Sequence, residues 1–460
     1  MGIGAALRVV GRVSNRVSGQ DRTSLDPLQG FSWNILRISL TRSCYAFAMA
    51  DMLMISESRD TALRQRAELL GRKLQDALST LVSELGRRGM RDQRSIREVL
   101  QLSQPVVSRL LTSVRGGDPL TTLNSIPGQE ALRQMLRGAS AADVDRDCIT
   151  KVAAAVDELG HFIDTDFGDR AAFDAVLSDW VVESRAAFEA RHKAAAFKAM
   201  SALRGVQADV VLSAGIIFPT PGAENFSSVG IDALLGCRRT RPSGLLRNVG
   251  SWFVPPGAHH TVTSLEGRPI AKASDMLLAG FSTVTPDLVE TVQHSSVFVE
   301  TTISGLPLGR SDDAPGVDYV CGQLLSNFNR RRRTSDSSTA GIGGHAEPPC
   351  EYFIVDVWLH DEVWPDSRAE VHIFDTVVRG AAHPNDAARR NDRLDMVETV
   401  QSLGTGPDAF RLPEYPRYGE LLRHVCAVAG IDAARLRGYR CKIRYPIYGS
   451  QIGIEFELPA

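Results

Sequence analysis

The sequence predicts a multidomain chain, with an all-α N-terminal half followed by an α+β C-terminal domain. Two observations carry this. Apolar residues recur at helical spacing from Thr61 to about Arg204, and after Val206 the period shortens to two. Composition agrees with a globular protein: of 460 residues, 43% are hydrophobic and 23% charged, a length for two or three domains. With 52 basic against 54 acidic residues the net charge is −2. That excludes a wholly basic nucleic-acid coat and leaves room for one basic domain. No run approaches the roughly 18 apolar residues of a membrane span, so no membrane partner is expected. The seven cysteines are far apart, odd in number and without a C-x-x-C pair, which fits reduced thiols in a cytoplasm.

Taken in order, residues 1–55 are read as a disordered extension or a start placed too early, with Met49 and Met52 as alternative starts; on that reading residues 1–48 need not be translated. Leu63, Ala67, Leu70, Leu74, Ala77 and Leu81 alternate spacings of four and three, a heptad stripe on one helix that Gly86 and Gly89 end. Gly116-Gly117-Asp118-Pro119 leads into more helix, and another helix opens at Pro127. Asp143 to Phe162 and residues 170–204 read as two further helices. The layout is therefore 56–140 as one helical domain, 141–204 as a linker or dimerisation region, and 205–460 as the α+β domain. In that last domain strands are expected at 208–218, 259–265, 297–303, 351–360, 369–376, 438–445 and 451–458. Helices are expected at 285–293, 316–327, 393–402 and 417–429, and a disordered loop at 329–349.

One segment carries a functional signal. In Arg-Ser-Ile-Arg-Glu-Val-Leu-Gln-Leu-Ser-Gln-Pro-Val-Val-Ser-Arg-Leu-Leu, residues 94–111, a first short helix turns Ile96, Val99 and Leu100 inward and Leu102 plugs a turn. Ser103 suits an N-cap, Pro105 is tolerated in the first turn of a second helix, and Val107, Leu110, Leu111 and Val114 face back. Ser103, Gln104, Ser108, Arg109 and Thr112 point outward. Gln suits adenine, Arg suits guanine, and Ser or Thr can meet a phosphate or either base. Arg87, Arg88, Arg91, Arg94, Arg97 and Arg115 surround the pair, and residues 56–140 hold 14 basic against 9 acidic residues.

On these residues, above all the string Ser103-Gln104-Pro105-Val106-Val107-Ser108-Arg109-Leu110, the segment resembles bacterial helix-turn-helix transcriptional regulators. The resemblance covers about residues 60–138. Many members carry Ala early in the first helix and Gly before the turn, where this chain has Arg97 and Gln101, and no β-wing follows. The resemblance implies that the second helix enters a major groove of double-stranded DNA, with Ser103, Gln104, Ser108, Arg109, Thr112, Arg94 and Arg115 as contacts. It also implies a homodimer, because one short helix reads few bases. The α+β domain would then sense a small-molecule effector or mediate assembly.

The rest of the chain shows no nucleotide-loop, zinc-protease or nucleophile-elbow motif, so no catalytic residue, metal or cofactor is expected. The competing reading is an enzyme or ligand-binding protein whose helices only assemble it. Its site would lie at a 351–376 hairpin, where cross-strand pairing would gather His360, Asp361, His372 and Asp375. His259-His260, the basic turn Gly236–Pro242 and the run Arg330–Arg333 read as ordinary strand-end, turn and loop residues.

Overall fold

The computed structural model describes residues 41–115, 117–250, 260–293, 299–309 and 315–460. The reading of residues 1–40 as an extension lies outside the described residues. Residues 41–55 are helical, as the start of α1 (Thr41–Arg87). The chain divides into two compact units, Met1–Arg66 and Ala67–Ala460.

Within the second unit the helical part is α1 from Ala67, α2 (Gln93–Leu100), α3 (Gln104–Arg115), α4 (Pro119–Ser125), α5 (Gln129–Ala141), α6 (Arg146–Asp166), α7 (Arg170–Trp180) and α8 (Val182–Arg204). The α1 stripe buries Ala67, Leu70, Leu74, Leu78, Leu81 and Leu85. The true 3.6 period moves the stripe from Ala77 onto Leu78. Two glycines set close approaches. A Cβ on Gly71 would lie 2.2 Å from the Pro119 carbonyl oxygen, and one on Gly138 would lie 2.7 Å from the Leu100 backbone. Asp118 caps α4, its Oδ2 accepting from the Thr121 amide at 2.9 Å, with Pro119 in the first turn. The single helix expected over 170–204 breaks at Val181, which is extended (φ −122°, ψ 96°) and buried.

The strands are β1 (Val206–Phe218), β2 (Phe226–Arg239), β3 (Leu246–Gly250), β4 (Thr261–Ser264), β5 (Val289–Gln293), β6 (Val299–Ile303), β7 (Val317–Asn329), β8 (Thr339–His345), β9 (Cys350–His360), β10 (Ala369–Phe374), β11 (Gln401–Thr405), β12 (Leu436–Arg444) and β13 (Gln451–Glu457), with α9 (Tyr418–Ala429) between β11 and β12. A seven-stranded sheet runs β11-β12-β9-β1-β2-β7-β4, and two three-stranded sheets run β10-β13-β8 and β3-β6-β5. The central pair β1 and β9 is parallel and the other pairings of the large sheet are antiparallel. One face of the large sheet packs against Ile452, Ile454 and Phe456 of β13, and the other against Leu421, Leu422 and Val425 of α9. A helical N-terminal half followed by a mixed, sheet-rich C-terminal region is thus the architecture.

Several expected elements are corrected. Residues 316–327 form strand β7, because an apolar run reads equally as buried strand or helix and pairing with β2 and β4 decides. Residues 285–293 are a short turn followed by β5, and 393–402 are extended, leading into β11. The disordered loop expected over 329–349 contains β8, which pairs with β13 along Thr339–His345. Strands β2 and β3 were not anticipated; glycines interrupt the alternation of β2.

Within the stretch 141–204, α8 packs against residues of the sheet-rich region. Arg185 pairs with Asp395 at 2.9 Å and Phe197 stacks on Tyr445 at 5.0 Å, and the buried Lys193 meets Glu189 at 3.1 Å and also Glu398. Under α9, Asp356 and Arg440 stand opposite each other on β9 and β12. Arg440 donates to both Asp356 oxygens at 2.7 and 2.6 Å, Tyr418 donates to Asp356 Oδ2 at 2.6 Å, and Trp358 Nε1 donates to the Tyr418 hydroxyl at 3.1 Å.

Candidate nucleic-acid interface

The helix pair is built locally. Asp92 caps α2, accepting from the Arg94 and Ser95 amides at 2.8 and 2.9 Å, and these bonds hold its carboxyl below the ordinary carboxylate range. Ile96 and Leu100 are buried. Gln101 then takes the left-handed conformation, φ 53° and ψ 39°, which turns the chain. That is the place where the resemblance expects glycine, since a side chain there is strained. Leu102 is buried, its amide returns to the Arg97 carbonyl at 3.1 Å, and the Ser103 carbonyl accepts from Val107 at 3.1 Å as α3 begins. Val107 and Leu110 face inward.

Ser103, Gln104, Ser108, Arg109, Thr112, Arg94 and Arg115 are all exposed. Their side chains are not equally available. Arg109 folds back onto the end of α4, donating to the Ser125 and Ile126 carbonyls at 3.3 and 3.2 Å, where a cation also meets the negative end of the helix dipole. Arg94 pairs with Glu98 at 3.0 Å, one turn on. Thr112 donates to the Ser108 carbonyl at 2.9 Å. Ser108, Thr112 and Arg115 share a hollow of about 460 Å³ with Gly86, Met90 and Asp92. The surrounding positive charge is partly spent within the protein: Arg87 and Arg88 pair with Glu84, and Arg91 donates to the Gly86 carbonyl at 3.4 Å. The outer face of the pair is therefore polar more than strongly cationic, with Gln104 and Ser108 among its exposed residues.

No protein-family model and no curated protein matches this chain.

The second neighbourhood expected from the sequence is dispersed. β9 and β10 do not pair; β9 lies between β1 and β12, and β10 lies beside β13. His360 contacts Asp361 at 3.1 Å, and with Glu362 these form a compact acidic group. Arg435 occupies it, meeting Asp361 and Glu362 at 2.7 and 2.9 Å. Asp375 accepts from the Val377 amide at 2.8 Å in a local turn. His372 instead meets carboxylates of its own sheet, with Nε2 3.6 Å from Glu370 and 3.8 Å from Glu455. Sequence reasoning missed Glu455. Its only signal is a Glu among alternating apolar residues, Ile452-Gly453-Ile454-Glu455-Phe456.

The other basic segments are structural. Arg238 is buried against Asp209 at 2.7 Å, and Arg239 donates to the Leu306 and Pro242 carbonyls at 3.0 Å each. Arg331 lies over the Phe226 ring at 4.3 Å and donates to Glu224. His259 lies outside the described residues, and His260 packs edge-on to Phe328 at 4.9 Å. The six cysteines from Cys148 onward are free and buried, and burial pushes the Cys426 thiol up to about 11. Among the described residues no helix is long and apolar enough to cross a membrane.

Proposed function

We propose that the protein is a DNA-binding transcriptional regulator in which α3 enters a major groove and Gln104 and Ser108 meet base edges. One observation carries the reading: a capped helix, a left-handed turn at Gln101 and a second helix leave Ser103, Gln104, Ser108 and Thr112 exposed while Leu102, Val107 and Leu110 are buried. Ser103 and Arg115 serve phosphates at the two ends of α3, and Arg94 joins them by exchanging Glu98 for a phosphate. Arg109 contributes by holding α4, and so the shape of the unit. A homodimer doubles the site read, and the α+β domain shifts the population of the binding-competent spacing when an effector binds.

The test is a mobility-shift titration of the full chain on the DNA upstream of its own gene, repeated over a salt series. The expectation is a complex that weakens with salt and loses about tenfold or more in affinity in Gln104→Ala/Ser108→Ala, since a good base contact contributes about 1–3 kcal/mol. No complex at low salt, or an unchanged affinity in the double variant, refutes the reading. A second reading, a ligand-binding protein assembled by its helices, draws on the carboxylate cleft beside His372.

A further inference from the structure

The β10-β13-β8 sheet packs Ile452, Ile454 and Phe456 into the core, so the alternating residues of β13 face the other way. On that opposite face Glu370, Glu455 and Gly341 stand in register, and in the next row His372, Gly453 and Gly343. The three glycines leave bare backbone around one carboxylate. Glu455 and His372 line a cleft of about 850 Å³, with Glu370, Arg368, Arg333 and Trp364 among its walls. That volume suits a small organic molecule.

Glu455 is only 5% exposed, and its Oε2 is fully buried with no hydrogen-bond partner among the described residues. His372 Nε2, at 3.8 Å, is too far to donate. Burial pushes the carboxyl up to about 7, although Arg393, stacked over Phe374, offsets part of the rise. His372 is held below its usual value by burial and by the same Arg393. Buried acceptors are normally satisfied, and Glu455 is among the residues that line the cleft.

We propose that the cleft binds a small organic cation, a primary ammonium or guanidinium group, with Glu455 Oε2 as its buried anchor and Glu370 and His372 as flanking acceptors. Such a group brings several N–H donors to an ionised oxygen, forming the short charge-assisted bonds that the site lacks. A metal fits less well. Among the described residues the histidine and carboxylate set closed enough to surround an ion is His360, Asp361 and Glu362, which Arg435 fills. The proposal stands whether or not α3 binds DNA.

The experiment is calorimetric titration of the full chain with agmatine and with putrescine, at pH 6 and pH 8. The expected result is one saturable site per chain for at least one probe, tighter at pH 8. Ionised Glu455 is needed and is more abundant at pH 8, the exposed Glu370 adds to the attraction, and Arg393 and His372 lie beside the same carboxyl at both values. Affinity falls at least tenfold in Glu455→Gln. It falls similarly in Glu370→Arg, which changes an exposed residue at the cleft and leaves the core untouched. Saturation by neither probe, or binding unchanged in both variants, overturns the proposal. So does one-site zinc binding lost in Glu455→Gln while neither organic cation binds.

Discussion

Replacing Glu455 with glutamine should stabilise the protein, and the gain should depend on pH in a defined sense. The carboxyl is nearly enclosed, and its folded pKa of about 7 lies above the ordinary 4.5. A carboxyl whose folded pKa is raised leaves stability intact below pH 4.5. That stability is then lost as pH climbs through 7, because the unfolded chain ionises freely and the folded one does not. The full difference is worth up to about 3 kcal/mol above pH 7, at 1.36 kcal/mol per tenfold. The variant, with an amide of the same shape, lacks this dependence. Urea unfolding of both proteins at pH 5 and pH 8 measures it, provided no cationic ligand is present. Glu455→Gln should gain about 2–3 kcal/mol at pH 8 and less than about 1 kcal/mol at pH 5. An equal effect at the two pH values, or a destabilised variant at pH 8, would refute the claim that this carboxylate is buried without a hydrogen-bond donor among the described residues.

Three further changes test the architecture. Asp356→Asn leaves Arg440 buried without its counter-charge and should cost about 3–5 kcal/mol, against about 1 kcal/mol for Tyr418→Phe, both read by denaturant unfolding. Similar losses in the two variants would mean that the ion pair is not the centre of that network. Gln101→Gly relieves a left-handed side chain and should raise stability by up to about 1 kcal/mol without weakening any DNA complex. A loss of stability would argue against the turn geometry.

How far the fold was legible depended on whether neighbours or distant partners fix each element. The α1 stripe and the α2-turn-α3 pair were legible, because a cap, a buried stripe and a plug residue such as Leu102 act within a few residues of one another. The break at Val181 was not, since its burial depends on packing outside the helix. Strand β7 was taken for a helix because Val317–Asn329 is an apolar run whose state its partners β2 and β4 decide. The residues of the candidate interface could be named from the sequence, but not what each side chain does. Arg109 reads as an outward base contact, yet the carbonyls that hold it lie 16 and 17 residues further on. Glu455 gave no signal, because its partner across the strands, Glu370, is 85 positions away and the cleft exists only after β10 joins β13.

The amino-acid sequence by itself determined the order of the molecule: helices first, a mixed sheet after, and a short capped helix pair with a polar outer face. These follow from periodicity and local hydrogen-bonding chemistry, which act over one or two turns of chain. Tertiary structure alone decided which strands pair, which arginines are already committed within the protein, and which carboxylate is left without a donor. Each depends on contacts between residues far apart in sequence, and burial converts those contacts into the energies that fix a side chain's role.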